Sequence, residues 1–164
     1  SAEERERLSL LFRPHPRDDL WRERYAAALG VAGLAVQEPS YTDMEDLATL
    51  LQHVDATVTN AGTILLDALV NDRPAVCVVY DEGAPAGESW AAKNVVGEHY
   101  RALMDAGAFP LASSFDEVVA GLRAALAEPG ALRAARERAR RDVVGEIDGG
   151  AAERAAAAIL EVVR

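Results

Sequence analysis

The fold is decided by the stretch Asp55–Tyr80, which reads DATVTNAGTILLDALVNDRPAVCVVY. Its first six residues (55–60) and the run PAVCVVY (74–80) are rich in the β-branched and apolar residues that favour strands. The second run is unbroken in hydrophobicity, as expected for a strand that is covered on both faces. Between them, TILLDALV has the composition of a largely covered helix. A strand–helix–strand unit of this kind predicts two parallel strands of an α/β fold.

The same alternation of strands and helices continues on both sides of this unit. Three more strands are predicted at 8–12, 34–38 and 108–113, the last at a sheet edge because an edge tolerates Pro110. Further helices are predicted over 17–29, 93–106, 131–144 and 151–163, and two others follow capping-box pairs, Thr42 with Glu45 and Ser114 with Glu117. We therefore predict a doubly wound, mainly parallel, five- to six-stranded Rossmann-like sheet in a single domain over 1–164.

Composition excludes several classes of function. The chain has 164 residues, half of them hydrophobic, and a formal net charge of −10, so a duplex-binding role is disfavoured. Only the helical stretch 133–141 could supply a basic face, and its neighbours are acidic. No run predicts a transmembrane segment or a signal peptide, and the single Cys77 lies in an apolar run. We expect a cytoplasmic protein with a buried, inert thiol.

Polar residues gather where the predicted strands end, which is where ligands bind in parallel α/β sheets. The ends of the first two strands carry Arg13–Arg17 and Ser40, and those of the next two carry Asn60–Thr63 and the pair Asp81 and Glu82. The opposite loops carry mostly ordinary helix-stop residues. This rim is therefore the predicted ligand site.

The third of these loops has the chemistry of a phosphate site. Gly62 lets a ligand approach the backbone, and the first amides of the following helix point outward with the positive end of the helix dipole behind them. Thr63 adds a hydroxyl, and Asp67 lies one turn later on the same side. The alternative is that Gly62 and Thr63 only form the turn and cap the helix, and that Asp67 holds a loop amide or the Thr63 hydroxyl.

His15 stands between two prolines at the end of the first strand, and Arg13 and Arg17 flank it. Proline fixes φ, so the imidazole has a stiff support and could donate to a phosphate or exchange a proton near neutral pH. The alternative is that it merely caps the loop. His53 and His99 lack metal-ligand spacing, and no zinc or P-loop motif occurs, so we predict neither a metal nor a cofactor.

Four stretches together resemble the C-terminal half of a GT-B-fold glycosyltransferase, closest to the group of CDP-glycerol glycerophosphotransferases and related nucleotide-sugar enzymes. They are RPHPRD (13–18), HVDATVTNAGTILLDALVNDRPAV (53–76), GAFPLASSFDEV (107–118) and DGGAAERAAAAILEVV (148–163). In that family a histidine of an H-P pair and a Ser/Thr with an Asp four residues later line the donor diphosphate site. The family commonly has two serines before the acid, whereas this chain has Gly62-Thr63.

The resemblance implies a metal-independent transferase that uses a nucleotide-sugar or CDP-polyol donor. Its diphosphate would be bound by His15, Thr63 and Asp67 with help from Arg13 and Arg17, and His15 is the candidate catalytic residue. The resemblance further places Ser40 near the base and Asp81 and Glu82 near the transferred group, and Asn60 and Gly62 of the loop after the third strand complete the candidate donor-binding residues.

The resemblance also implies that parts of the enzyme lie outside this chain. The family has an N-terminal acceptor domain, and its C-terminal half begins with one more strand than is found before the RPHP segment. The remaining five strands could close up in the order 2-1-3-4-5, or a neighbouring chain could fill the gap. We expect an excised fragment that is inactive alone, from an enzyme that could associate peripherally with a membrane.

Two other readings stay open from the sequence. A nucleotide-sugar 2-epimerase-type enzyme would share the fold but would need acid–base carboxylates that the sequence does not identify. A non-catalytic α/β binding domain would have the same rim without the chemistry. The donor nucleotide, the acceptor and the stereochemical course are not determined by the residues.

Overall fold

The structure, a computed structural model, describes residues 2–38, 40, 44–85, 88–95 and 97–163. The chain divides into two compact units, Ser1–Leu47 and Ala48–Arg164. No helix in these described ranges is both long enough and apolar enough to cross a membrane.

The first unit contains a two-stranded parallel sheet and short helices. Its elements are α1 (Ala2–Arg7), β1 (Leu10–Phe12), α2 (Trp21–Arg24), α3 (Ala26–Leu29), β2 (Leu34–Val36) and the start of α4 (Met44–His53), which crosses the boundary between the units. β1 pairs with β2 in register from Leu10 opposite Leu34 to Phe12 opposite Val36. Phe12 contacts the rings of Trp21 and Tyr25, so these aromatic residues hold α2 against the sheet.

The second unit is built on a three-stranded parallel sheet in the order β3-β4-β5. Its elements are β3 (Thr57–Asn60), α5 (Thr63–Val70), β4 (Ala75–Val78), α6 (Trp90–Val95), α7 (Glu98–Asp105), β5 (Leu111–Ala112), α8 (Phe115–Ala127), α9 (Arg133–Ala139), a π-helical turn (Arg140–Val144) and α10 (Ala151–Val162). Asn60 is opposite Val78, and Val78 is opposite Ala112, so the three carboxyl ends lie at one edge.

Helices cover both faces of β4. Cys77 packs in a core cluster with Leu65 and Leu69 of α5 and Leu103 of α7. Val76 points to the other face because side chains alternate along a strand. There a Cβ on Gly121 of α8 would lie only 3.2 Å from a Val76 methyl, so glycine permits this close approach. The prediction of a strand covered on both faces is confirmed.

The predicted single sheet of five to six strands is wrong. All five predicted strands form, but as two separate small sheets, so the order 2-1-3-4-5 is not formed either. No sixth strand precedes β1 in the described chain, because AEERER forms helix α1. Glutamate and arginine favour helices, and this segment has none of the β-branched residues that favour a strand.

Three predicted helices are interrupted. The 17–29 helix begins at Trp21 and breaks at Tyr25, whose φ of −107° and ψ of 20° are not helical. The 93–106 helix begins earlier, at Trp90, and Gly97 (φ −57°, ψ 139°) separates α6 from α7. The 131–144 helix changes to a π-helical turn at Arg140. The 151–163 helix is confirmed, whereas Thr42 lies outside the described residues.

The loop after α5 is held to α9 by a buried arginine. Arg136 is 3% exposed, and its Nε donates to Asp72 Oδ1 at 2.8 Å while a terminal nitrogen donates to the Pro129 carbonyl at 2.9 Å. Asp72 has a positive φ of 50°, which Asp tolerates better than most residues. Arg133, exposed on α9, also pairs with Asp72, at 3.1 Å.

Arg136→Ala is expected to lower the free energy of unfolding by about 2 to 3 kcal/mol, because hydrogen bonds to charged groups are lost and a hole is left. Denaturant titration measures this change. Arg133→Ala is the control and should cost under about 0.5 kcal/mol, since exposed pairs contribute little. Equal effects of the two substitutions would show that burial of Arg136 does not stabilise the fold.

Cys77 is fully buried, as predicted, and desolvation raises the pKa of its thiol from 9.0 to about 11. Because only the thiolate is nucleophilic, iodoacetamide at neutral pH should modify the folded chain at least about a hundredfold more slowly than the unfolded chain. Mass spectrometry of timed samples with and without denaturant checks this. Similar rates in both states would contradict the burial.

Candidate functional site

Helix α5 begins at Thr63, after an N-cap residue, Gly62, that has no side chain with which to cap the helix. Its N-cap residue Gly62 is extended (φ −169°, ψ 174°), and no acidic residue occupies the first turn. Thr63, the first helical residue, is exposed, and Asn60 is exposed at the end of β3. The Leu65 amide donates to the Gly62 carbonyl at 3.0 Å, whereas the amides before it lack intrahelical partners and carry partial positive charge. This end of α5 therefore has the electrostatics of an anion site.

The turn before α5 is held from behind by α6. Asn94 Nδ2 donates to the Ala61 carbonyl at 2.6 Å, and Ala61 itself is buried in the core. The position of Gly62 and Thr63 therefore depends on the position of α6.

The amino terminus of α6 is capped by two side chains. Asp81 Oδ2 accepts from the amides of Trp90 at 2.5 Å and Ala91 at 3.3 Å, and the buried Ser89 accepts from the amide of Ala92 at 3.1 Å. Asp81 follows β4, so it connects the end of that strand to α6. The structure thus shows Asp81 positioning a helix; its predicted role beside the transferred group stays a prediction.

Asp67 lies in the second turn of α5. Leu65, Ala68 and Leu69 around it are buried and Asp67 is half-buried, which confirms a largely covered helix, although Val70 is 39% exposed. The Asp67 carbonyl accepts from the backbone amide and the Nδ2 of Asn71. The residue keeps a further interaction partner, so the acid among leucines is accommodated.

A cleft opens at the carboxyl ends of β4 and β5. Its volume is about 690 Å³, within the range of about 300 to 1,000 Å³ that small-molecule sites occupy. It is lined by the loop after β4, by Ser89 and Ala92 and by the start of α8: Val79–Pro85, Ser89, Ala92 and Ser113–Asp116. Ser114 caps α8 as predicted, since its Oγ accepts from the Glu117 amide, whereas the Glu117 carboxylate accepts from the amide of Ser113, one residue before the N-cap.

His15 has the loop-capping contact that was its alternative interpretation. Its Nδ1 accepts from the backbone amide of Arg17 at 3.1 Å, and its carbonyl accepts from Asp18. A neutral ring with an accepting Nδ1 carries its proton on Nε2. The side chain is exposed, next to the buried Pro14.

The other predicted residues of the first unit lie in varied surroundings. Arg13 is half-buried, and its Nε is buried with no hydrogen-bond partner among the described residues. Arg17 is exposed, and Ser40 is half-buried between neighbours, Pro39 and Tyr41, that lie outside the described residues.

The predicted site residues thus form two groups. Arg13, His15, Arg17 and Ser40 belong to the first unit. The second unit brings Asn60, Gly62, Thr63 and Asp67 together at the β3–α5 junction, and Asp81 and Glu82 at the neighbouring cleft. A diphosphate site shared by His15 and Thr63 remains a prediction.

Three further residues that lie beside the second group, Ser89, Asn94 and Phe115, were not predicted from the sequence. Ser89 lay in a stretch interpreted as loop, although a serine three residues before Ala92 is a helix-capping spacing. Asn94 bonds to a residue 33 positions earlier, and no local pattern signals such a contact. Phe115 is 66% exposed on the cleft wall, where the helical pattern of α8 alone does not mark it.

No family model matches the chain, and neither the curated proteins nor the solved structures contain a significant match. In the described part of the chain, no group of three or more His, Cys, Asp or Glu side chains is arranged to hold a metal ion. The fold defines the chain as an α/β protein with parallel sheets. An inference about its function has to be argued from the residues of the candidate site.

Asp81→Ala is expected to destabilise the second unit by about 1 kcal/mol, the usual cost of losing a helix cap, and to loosen α6. The midpoint of denaturant unfolding measures the cost, and hydrogen exchange of the Trp90 and Ala91 amides measures the loosening. Glu82→Gln is the neighbouring control, with no bond to these amides. Unchanged exchange in Asp81→Ala would show that the cap is not formed in solution.

Proposed function

We propose that this chain is the donor-binding part of a transferase that moves a sugar or a polyol phosphate from a nucleotide-diphosphate donor to an acceptor. The single observation that carries the proposal is the amino terminus of α5, which follows the glycine N-cap Gly62 at the carboxyl edge of the sheet. An acid-free first turn, an extended Gly62 and the exposed Thr63 hydroxyl suit a diphosphate there.

Binding at α5 supports transfer chemistry because the leaving group is anionic: it is the nucleoside diphosphate when a sugar is transferred, and the nucleoside monophosphate when a polyol phosphate is transferred. Negative charge on it increases as the bond to the transferred group breaks. Helix amides and the Thr63 hydroxyl are fixed dipoles, so they stabilise that charge without reorganising. This role requires no metal ion.

The cleft supports the proposal by its position. β3 and β4 are neighbours, and their carboxyl ends are level because Asn60 pairs with Val78. The cleft opens at the ends of β4 and β5, on the same edge. A donor with its diphosphate at α5 could extend its transferred group in that direction.

The resemblance adds His15 as the residue of the first unit that acts on the donor. With Nδ1 occupied by the Arg17 amide, Nε2 is the nitrogen available for a ligand, as a donor when the ring is neutral. Under this proposal Arg13 and Arg17 supply further positive charge, and Ser40 lies toward the base.

Thr63→Val is expected to weaken binding of the accepted nucleotide diphosphate about tenfold, since it removes one hydrogen bond to a charged group. The measurement is the thermal midpoint of unfolding in titrations with CDP-glycerol, UDP-sugars and GDP-sugars. At a hundredfold excess over Kd, a ligand stabilises the native state by about 2.7 kcal/mol, a shift of several degrees.

Adding Asp67→Ala to Thr63→Val should abolish the shift, while Thr49→Val on the exposed surface of α4 should leave it unchanged. A shift that persists in the double variant would place the ligand elsewhere. If no nucleotide shifts the midpoint, the proposal is overturned and a non-catalytic α/β binding domain is favoured.

A further inference from the structure

We propose that the cleft at the carboxyl ends of β4 and β5 selects donors whose transferred group is an uncharged, hydroxyl-rich ring and discriminates against an anionic one. This inference rests on the proposed function, and of the two donor classes proposed there it selects the nucleotide sugar, because a transferred polyol phosphate is anionic. The determinants are Glu82, Phe115 and Asp116.

The charge of the cleft is of one sign. Its lining carries the carboxylates of Asp81, Glu82 and Asp116, and none of the described lining residues is Lys, Arg or His. Asp81 is engaged by the two α6 amides, whereas Glu82 and Asp116 are exposed and form no hydrogen bond or ion pair with described residues. A carboxylate brought into this space meets like charges without a compensating cation.

The same groups suit hydroxyls. An ionised carboxylate accepts several hydrogen bonds and donates none, so Glu82 and Asp116 match ligand hydroxyls as donors. The hydroxyls of Tyr80 and Ser113 on the wall can both donate and accept.

Phe115 supplies an apolar surface. It is the first residue of α8, lies on the cleft wall and is 66% exposed, a large solvent-facing area for an aromatic side chain. A sugar can stack the face that carries its C–H groups on the Phe115 ring, while the sugar hydroxyls reach the carboxylates of Glu82 and Asp116. An aromatic surface beside acceptors is the arrangement that a ring with one apolar face needs.

Diphosphate binding and ring selection are separable by experiment. UDP, CDP and GDP are first titrated to identify the accepted nucleotide. The discriminating pair then differs by one carboxylate: UDP-glucose against UDP-glucuronate, or GDP-mannose against GDP-mannuronate. Calorimetry on the full chain should give at least about tenfold tighter binding of the neutral sugar, and the ratio should fall as salt screens the charges.

The double substitution Glu82→Gln with Asp116→Asn keeps shape and removes both free charges, so the ratio should fall to about threefold or less. The matched control is Asp105→Asn with Glu128→Gln. These residues are also exposed, but they lie at the ends of α7 and α8 that face the opposite edge of the sheet. Phe115→Ala should weaken both sugars while leaving the bare nucleotide diphosphate unaffected.

Each outcome has a distinct meaning. Equal binding of the neutral and anionic sugars, or a ratio that the Glu82 and Asp116 substitutions do not change, overturns this inference. A nucleotide diphosphate that still binds in a Thr63-dependent way would then leave the proposed function standing. Failure of all three nucleotide diphosphates to bind overturns the proposed function, and this inference with it.

Discussion

Strand β4 is the constraint on which the second unit depends. It pairs with β3 on one side and β5 on the other, and helices cover both of its faces. Its first three residues are buried inside the unit. Because the pairing is parallel and in register, the carboxyl ends of all three strands are brought level. The turn before α5 and the cleft lie at that edge for this reason alone.

The two parts of the candidate site are mechanically connected through α6. Asp81 at the end of β4 caps the start of this helix, and Asn94 near its end holds the carbonyl of Ala61. A six-residue helix has little stability by itself, so its position depends on these tertiary bonds. A change at the cleft can therefore reach the turn that presents Gly62 and Thr63. Asp81 is at once a wall of the cleft and a support of the proposed diphosphate site.

The fold class and all five strands could be predicted because they depend on local composition. PAVCVVY is rich in apolar residues, and the structure buries Ala75, Val76 and Cys77. The number of strands in one sheet could not be predicted from such patterns, because pairing depends on contacts distant in sequence. The break at Tyr25 is a similar case, because one residue with non-helical backbone angles does not change the amphipathic pattern of the sequence around it.

The candidate site was predictable to the same extent. Gly62, Thr63 and Asp67 stand in one local motif, and their placement on a strand end and a helix start follows from it. The hydrogen bond from Asn94 to the Ala61 carbonyl, which holds this turn against α6, could not be predicted, because the two residues meet only in the tertiary fold. For His15, the contact with the Arg17 amide is local and could be predicted. A role of His15 toward a ligand depends on the arrangement of residues distant in sequence, which the local pattern does not determine.

A net charge of −10 repels an anionic donor, but this repulsion and the contacts that bind a ligand act over different distances. At physiological ionic strength, exposed charges more than about 8 Å apart are largely screened, so the overall charge mainly slows the approach of an anion. Affinity is set by the groups within hydrogen-bonding distance. At the start of α5 these are amides and a hydroxyl, with no acid in the first turn, whereas the neighbouring cleft carries the free carboxylates. Under the proposed function, two adjacent sites of opposite preference would bind two parts of one donor, the anionic diphosphate and the uncharged ring.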